Sequence, residues 1–136
     1  MSDVFCKIIA GDIPSTKVYE DDKAIVILDI TQVTKGHALV IPKEHYESVL
    51  DCPEELLDHI MRLAQKIARA EMAAFGAKGV NILTNAKEAA GQAVPHFHVH
   101  VLPRYDEHDG LKIECPPSGI PMSEFPSIAE SIKKHL

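Results

Sequence analysis

The chain is poor in cysteine: Cys6, Cys52 and Cys115 are odd in number, far apart, and form no C-x-x-C pair. That pattern excludes a disulfide framework and suits a reducing compartment. Long apolar runs are also missing, and nothing approaches the roughly 18 residues of a transmembrane helix. The stretch from Met1 to Lys7 lacks a basic segment followed by an apolar one, so no secretory signal is visible. A cytoplasmic location without membrane attachment is the expectation. Basic charge is scarce too, with 14 Lys and Arg against 20 Asp and Glu and a net charge of −6. Binding a nucleic acid polymer needs a basic face, which argues against that function. A small anionic ligand stays compatible, since one pocket can be locally positive on an acidic protein. Repeats, low-complexity tracts and linkers are absent. With 136 residues, 46% apolar and 25% charged, the chain reads as a single globular domain spanning 1–136.

What is present is a series of short strand-like runs around one long helix. A short helix is expected from Ser2 to Ile9, capped by Ser2 or Asp3 and ended by Gly11. Lys17 to Glu20 reads as a strand, Asp21 to Lys23 as a turn, and Ala24 to Ile30 as a strand apolar enough to be covered on both faces. A turn at Thr34 to Gly36 leads to a strand from His37 to Ile41, stopped by Pro42. The clearest helix runs from Pro53 to Phe75. Glu54 and Glu55 suit its positive end, Gly76 suits its stop, and Leu57, Ile60, Met61, Ala64, Ile67 and Ala68 mark a buried face. Val80 to Thr84 and His96 to Leu102 are two further strands, joined by a polar loop from Asn85 to Gln92. Ser123 to Leu136 suggests a final amphipathic helix using Ile128, Ile132 and Leu136. This order favours an α+β domain, an antiparallel sheet of about five strands with the long helix and short terminal helices packed on it.

Strand side chains alternate faces, so His96, His98 and His100 share one face while Phe97, Val99 and Val101 share the other. Three readings fit an all-imidazole face. It can be a solvated polar face, a metal site completed by another group, or a centre for phosphoryl or nucleotidyl transfer. In the last, one imidazole attacks phosphorus while its neighbours bind charged oxygens and pass protons. Imidazole suits such work because it titrates near neutral pH.

The run from His96 to Leu102 resembles H-φ-H-φ-H-φ-φ, the signature of the histidine triad (HIT) superfamily. The stretches Phe5 to Pro14, Val18 to Asp21, Gly36 to Lys43, and Gly91-Gln92 are similar to the same family in the same order, so the resemblance spans roughly Val4 to Tyr105. It makes 4–105 the core and leaves 106–136 as a less matched C-terminal segment. The likeness is nearest the Hint and bacterial Hit-like branch of nucleotide hydrolases.

Membership of that family implies a homodimer built on a continuous sheet and cleavage of nucleotides substituted on the α-phosphate, with no metal needed for the chemistry. A purine nucleotide phosphoramidate is the substrate class it suggests. A dinucleoside polyphosphate, or regulatory nucleotide binding with weak turnover, are the alternatives. By match, His98 is the nucleophile and forms a nucleotidyl-histidine intermediate. His100 stabilises charge and handles protons, His37 joins the proton relay, and His96 supports. Asp29 matches the acidic residue that hydrogen-bonds the ribose hydroxyls. Phe5, Ile8, Ile27 and Ile30 resemble the apolar wall of the base pocket. Asn85 and Gln92 match polar positions near the phosphates, and Gly91 allows close backbone approach.

Two departures stand out. Ala93 occupies a position where many relatives carry Ser or Thr, so only its backbone N–H remains to meet a leaving group. The second concerns a structural zinc site, which one branch of the family builds from C-x-x-C and two histidines matching His45 and His96. Here Asp3 replaces the first cysteine. Asp3, Cys6, His45 and His96 can still supply four ligands, but the exchange leads us to expect loss of the site. His59, His108 and His135 have no motif support, and Arg104 lies where it could reach a phosphate.

Overall fold

The computed structural model describes residues 3–136. Five strands form one antiparallel sheet in the order β1-β2-β3-β5-β4, with β1 Lys17–Glu20, β2 Ala24–Leu28, β3 Ala38–Pro42, β4 Gly79–Leu83 and β5 Val99–Arg104. Helix α1 is Val4–Ala10, α2 is Glu54–Phe75, and α3 is Phe125–Lys133. The expected α+β architecture is therefore the observed one.

Helix α1 starts at Asp3, whose side chain accepts from the Cys6 N–H at 2.8 Å, and ends at Gly11 in the left-handed region. Ser2, the other candidate cap, lies outside the described residues. In α2 the first helical residue is Glu54, with Pro53 as the cap, and Gly76 ends it at φ 64°. Its buried face differs from the expected one at several positions, Leu57 being only half-buried and Glu71 being inside. Leu63 is inside with Ile60, Ala64, Ile67 and Ala68, whereas Met61 is 44% exposed. Position 63 lies 300° around the helix from Ile60, nearer the centre of the buried stripe than position 61.

The sheet separates two apolar clusters. Ala24, Val26, Ala38, Val40, Phe97, Val99 and Val101 pack under α2. Ile25, Ile27, Leu39 and Ile41 pack with Phe5, Ile8 and Ile9 of α1 on the other face. Both faces of β2 and β3 are thus covered, which explains their unbroken apolar sequence. The pairing Leu39↔His100 puts His100 on the α1 face beside a core leucine, and Val40↔Val99 puts Val99 on the α2 face.

Strand ends depart from expectation. β5 begins at Val99, so His96, Phe97 and His98 lie in the extended approach to the strand, where Phe97 N–H donates to the Tyr46 carbonyl at 2.7 Å. The expected alternation nevertheless persists, because Phe97 joins Val99 and Val101 under α2. β2 ends at Leu28, leaving Asp29 and Ile30 in the following turn. Pro42 is the last residue of β3 rather than a stop beyond it. The loop after β4 carries a short 3-10 turn at Glu88–Ala90. Helix α3 is shorter than expected, and the whole of 112–136 is exposed, including Ile128, Ile132 and Leu136. The packing expected of the final helix is therefore not made within one chain.

One buried group opposes the fold. Glu71, on the inner face of α2, is 7% exposed, and its Oε2 has no hydrogen-bond partner among the described residues. Burial pushes its carboxyl up to about 7. The folded state therefore holds this proton more tightly than the unfolded chain, and the stability it preserves is lost as pH rises through about 7. Glu71→Gln should stabilise the protein at pH 8 by on the order of 1–3 kcal/mol and much less at pH 5. Urea denaturation at the two pH values checks this, and equal effects would contradict it.

Candidate active site

The loop from Asp29 to His37 carries three of the expected site residues, Asp29, Ile30 and His37, and a set of hydrogen bonds closes it. Asp29 Oδ1 accepts from the Thr31 N–H at 2.8 Å and the Thr31 hydroxyl at 2.6 Å. Gln32, at φ 44°, donates from Nε2 to the carbonyls of Asp29 (2.6 Å) and His37 (2.8 Å), and its Oε1 accepts from Gly36 N–H at 2.9 Å. Gly36 has φ 99°, and a Cβ there would lie 2.9 Å from both Phe75 and Pro103. Only glycine meets both demands, so the backbone beside His37 is seated directly on the core.

Three imidazoles then fall into line. His98, at 9% exposure, donates from Nδ1–H to the His96 carbonyl at 2.7 Å. Its proton is held on Nδ1, and Nε2 carries a lone pair that no hydrogen bond among the described residues engages. Val33 N–H donates to His37 Nδ1 at 3.4 Å, which assigns the His37 proton to Nε2. From there it donates to His100 Nδ1 at 3.0 Å, leaving the His100 proton on Nε2. The His98 and His100 rings meet edge to face with centroids 4.9 Å apart. The arrangement offers one bare nitrogen beside one N–H donor, with a second imidazole behind the donor.

Charge follows the same pattern. Burial lowers the His98 pKa, opposed by its bond to the His96 carbonyl. Burial, with repulsion from His98 and His37, brings His100 down to about 4. Burial lowers His37 as well, against the pull of Asp29. At neutral pH all three are neutral, as a nucleophile and a neutral donor require. Burial alone would raise Asp29, but the two Thr31 bonds and the neighbouring His37 and His100 bring its carboxyl below the ordinary value. Its free Oδ2 lies 3.8 Å from His37 Nε2.

The remaining expected residues divide. Phe5 is buried and stacks edge-on to His98 with centroids 4.9 Å apart, and Ile27 and Ile8 belong to the same cluster. Ile30 stands apart, 97% exposed, on the rim of an open hollow of about 450 Å³ shared with Asp29, Leu28, Pro14 and Thr16. Ala93 and Gln92 border another hollow of about 510 Å³. The Gln92 amide is committed to backbone partners: it accepts from Lys87 N–H and donates to the Val94 carbonyl and to the Glu47 carbonyl of the segment after β3. A Cβ at Gly91 would lie 3.8 Å from Asn85 Nδ2, and φ 91° there demands glycine in any case. Arg104 binds Asp109, Asn81 and the Leu111 carbonyl, which ties it to structure rather than to a ligand. His59 bonds Asp21 at 2.8 Å and joins α2 to the β1–β2 turn. Two contributors were not anticipated: Thr84, whose hydroxyl donates to the His98 carbonyl at 2.7 Å, and Gln32. Neither belongs to a spacing pattern, so no sequence signal marks them.

The expected loss of the metal-ligand group does not match the geometry. Asp3, Cys6, His45 and His96 bring one donor atom each to within 4.8 Å of one another. The two Nδ1 atoms are 3.3 Å apart, Asp3 Oδ2 lies 3.0 and 3.2 Å from them, and Cys6 Sγ lies 3.7 and 3.5 Å from them. A tetrahedron with metal–nitrogen bonds of about 2.0–2.1 Å and a metal–sulfur bond of about 2.3 Å has edges of roughly 3.3–3.6 Å. The donor set fits a metal ion of that kind. His96 Nε2–H donates to the Pro42 carbonyl at 2.9 Å, which leaves its Nδ1 lone pair facing the group.

Comparison with known proteins agrees with this geometry. The family model "HIT domain" matches residues 10–107. The adenosine 5'-monophosphoramidase hnt1 of Schizosaccharomyces pombe is 37% identical over 136 residues, covering 100% of this chain and 99% of its own. A crystal structure of a HIT family member from Bacillus subtilis has 47% identity and a TM-score of 0.91, covering 98% of this chain and 96% of that one. A Zn-bound histidine triad family protein from Mycobacterium smegmatis has 42% identity and a TM-score of 0.77, covering 86% of this chain and 85% of that one. The chain belongs to the histidine triad family.

The depressed imidazoles give a direct expectation. In an NMR titration, the His37, His98 and His100 rings should stay neutral below pH 6.5, with His100 protonating only near about 4. The unfolded chain takes up these protons near 6.5, so stability present above that value should fall as pH drops toward the folded values. Titration of His98 at or above 6.5 would contradict the assignment.

Proposed function

We propose that this chain is a nucleotide hydrolase that cleaves a purine nucleotide phosphoramidate at the α-phosphate through a covalent nucleotidyl-histidine intermediate. The observation that carries the reading is His98: a bare Nε2 whose opposite nitrogen is fixed as a donor to the His96 carbonyl, next to the His37–His100 pair. The S. pombe relative named as an adenosine 5'-monophosphoramidase supports the substrate class.

The chemistry runs in two displacements. His98 Nε2 attacks the α-phosphorus in line, and the bond to the leaving amine breaks as the amine takes a proton from solvent water. The His98 ring becomes an N-phosphoryl imidazolium, and the His96 carbonyl 2.7 Å from Nδ1–H stabilises its positive charge. His100 Nε2–H faces the phosphate oxygens as a neutral hydrogen-bond donor, and the His37 Nε2–H bond to its Nδ1 holds it in that form. Water then attacks the same phosphorus and gives one proton to solvent, the bond from phosphorus to His98 breaks, and Nε2 recovers its lone pair. Asp29 Oδ2 takes the ribose hydroxyls, while Phe5, Ile8 and Ile27 wall the base, with Ile30 at the rim.

Ala93 favours a second reading, nucleotide binding with weak turnover, because no side-chain hydroxyl is present there to meet the leaving group. One lost hydrogen bond in the transition state costs on the order of 1–3 kcal/mol, up to about a hundredfold in rate. Dinucleoside polyphosphate cleavage is the further alternative within the same chemistry.

Zinc is the metal that a thiolate, two imidazoles and a carboxylate suit best, and its role at Asp3, Cys6, His45 and His96 is structural. We also assign the functional unit as a homodimer in the cytoplasm. The exposed Ile113, Ile120, Phe125, Ile128 and Ile132 of the C-terminal segment support a second copy as their cover, as does the outer edge of β4, which is unpaired in the sheet.

Incubation with an adenosine phosphoramidate and with a diadenosine polyphosphate separates the readings. The phosphoramidate should be the faster substrate, and His98→Ala should lower its turnover by roughly 10³-fold or more. Ala93→Ser should raise kcat toward the hundredfold limit set by the missing hydrogen bond. Undiminished turnover by His98→Ala would refute the nucleophile, and tight nucleotide binding with no turnover would favour the binding protein. Sedimentation equilibrium tests the dimer, and a monomer at micromolar concentration would refute it.

A further inference from the structure

The mixed-donor metal group and the nucleophile share a residue. His96 is fully buried, and three of its polar atoms are engaged at once. Nδ1 faces Asp3, Cys6 and His45; Nε2–H is held by the Pro42 carbonyl; and the backbone carbonyl accepts the His98 Nδ1–H. Phe5, between two of the donor residues in sequence, packs edge-on to both rings, with centroids 5.9 Å from His96 and 4.9 Å from His98. The four donors come from three separate segments: the start of α1, the loop after β3, and the approach to β5. Because β5 begins only at Val99, no strand ladder joins these segments here, and the approach to β5 is tied to the segment around the end of β3 by two single bonds, Phe97 N–H to the Tyr46 carbonyl and His96 Nε2–H to the Pro42 carbonyl. His96 and His98 thus lie where strand pairing does not yet fix the backbone.

We propose that a metal ion held by Asp3, Cys6, His45 and His96 positions the nucleophile, by fixing the His96 peptide whose carbonyl sets the tautomer and direction of the His98 ring. Asp3 is the determining residue. It caps α1 through Oδ1 while its Oδ2 faces the two imidazoles, so one carboxylate anchors the helix and completes the donor set. With a single thiolate, the group binds zinc less tightly than a two-cysteine site would, which makes occupancy, and with it the setting of His98, responsive to zinc supply. His96, Asp3 and Cys6 are in this sense positioning residues rather than catalytic ones. The kinetic part of this inference rests on the nucleotidyl-transfer reading above, and the structural part does not.

The test uses the full chain in zinc-loaded and chelated forms, together with Asp3→Asn and Asp3→Cys. Elemental analysis should give one zinc per chain in the loaded protein, and Asp3→Asn should bind zinc about 10-fold more weakly or worse, with Asp3→Cys restoring it. Cobalt(II) in place of zinc should show the intense visible absorption of a tetrahedral site and a thiolate charge-transfer band that Cys6→Ala abolishes. Nitrogen-15 NMR should find His98 wholly in the Nδ1–H form in the loaded protein and exchanging between tautomers in the chelated one, with circular dichroism confirming an unchanged fold. Turnover of the phosphoramidate should fall about 10-fold in kcat on chelation, with KM little changed. Failure to take up zinc would overturn the inference, as would zinc uptake that leaves the His98 spectrum and kcat as they were. If no form hydrolyses the nucleotide, the functional reading fails, and the His98 tautomer alone still decides the positioning role.

Discussion

The hydrogen bond from His98 Nδ1–H to the His96 carbonyl, 2.7 Å long, is the contact on which the proposed chemistry depends. An imidazole can be nucleophilic at only one nitrogen, and the choice is made by whatever holds the proton on the other. A backbone carbonyl two residues away makes that choice by geometry, provided the intervening backbone stays extended. The rest of the fold enforces this condition. Phe97 between the two histidines is buried under α2, and its N–H is tied to Tyr46. Thr84 of the loop after β4 holds the His98 carbonyl from the other side.

The second half of the site is organised by the same logic at a distance. His37 reaches His100 because β3 and β5 are neighbours in the sheet and because the loop before β3 is closed by Gln32 and seated at Gly36. Its Nδ1 accepts from a backbone amide, which sends the remaining proton toward His100. Backbone groups thus set the tautomers of His98 and His37, and His37 sets that of His100. Side-chain carboxylates, which raise the imidazole pKa values, are few: Asp29, whose charge Thr31 stabilises by hydrogen bonds, and Asp3 beside His98.

Much of this was legible from the amino-acid sequence, and the reasons are physical. Alternation of histidines with Phe97, Val99 and Val101 foretells two opposed faces, because period two is fixed by strand geometry whether or not the ladder bonds extend that far. Glycines at 11, 76 and 91 foretell left-handed turns. Long-range hydrogen bonds leave no such trace. Thr84 and Gln32 are ordinary polar residues until the fold brings carbonyls to them, and Arg104 is captured by Asp109 and Asn81, which sequence proximity to the triad does not reveal. Asp3 is the instructive case. Judged by residue type, the exchange of cysteine for aspartate removes a soft ligand and argues for loss of the site. In space the carboxylate that caps α1 lands at ligand distance from both imidazoles.

The strand order β1-β2-β3-β5-β4 has a bearing on how the protein comes into being. β5 is the last strand in the chain yet lies inside the sheet, between β3 and β4, so the β3 edge is covered only once β5, with β4 paired on its far side, docks there. His37 and His100 are 63 positions apart and meet only after that insertion. During synthesis, a ribosome-bound chain that has released β1 to β4 and α2 still holds no reactive centre. Pairings so distant in sequence are also the slow ones to form. The row of imidazoles is therefore assembled only when β5 joins β3, and a chain that lacks β5 does not carry it.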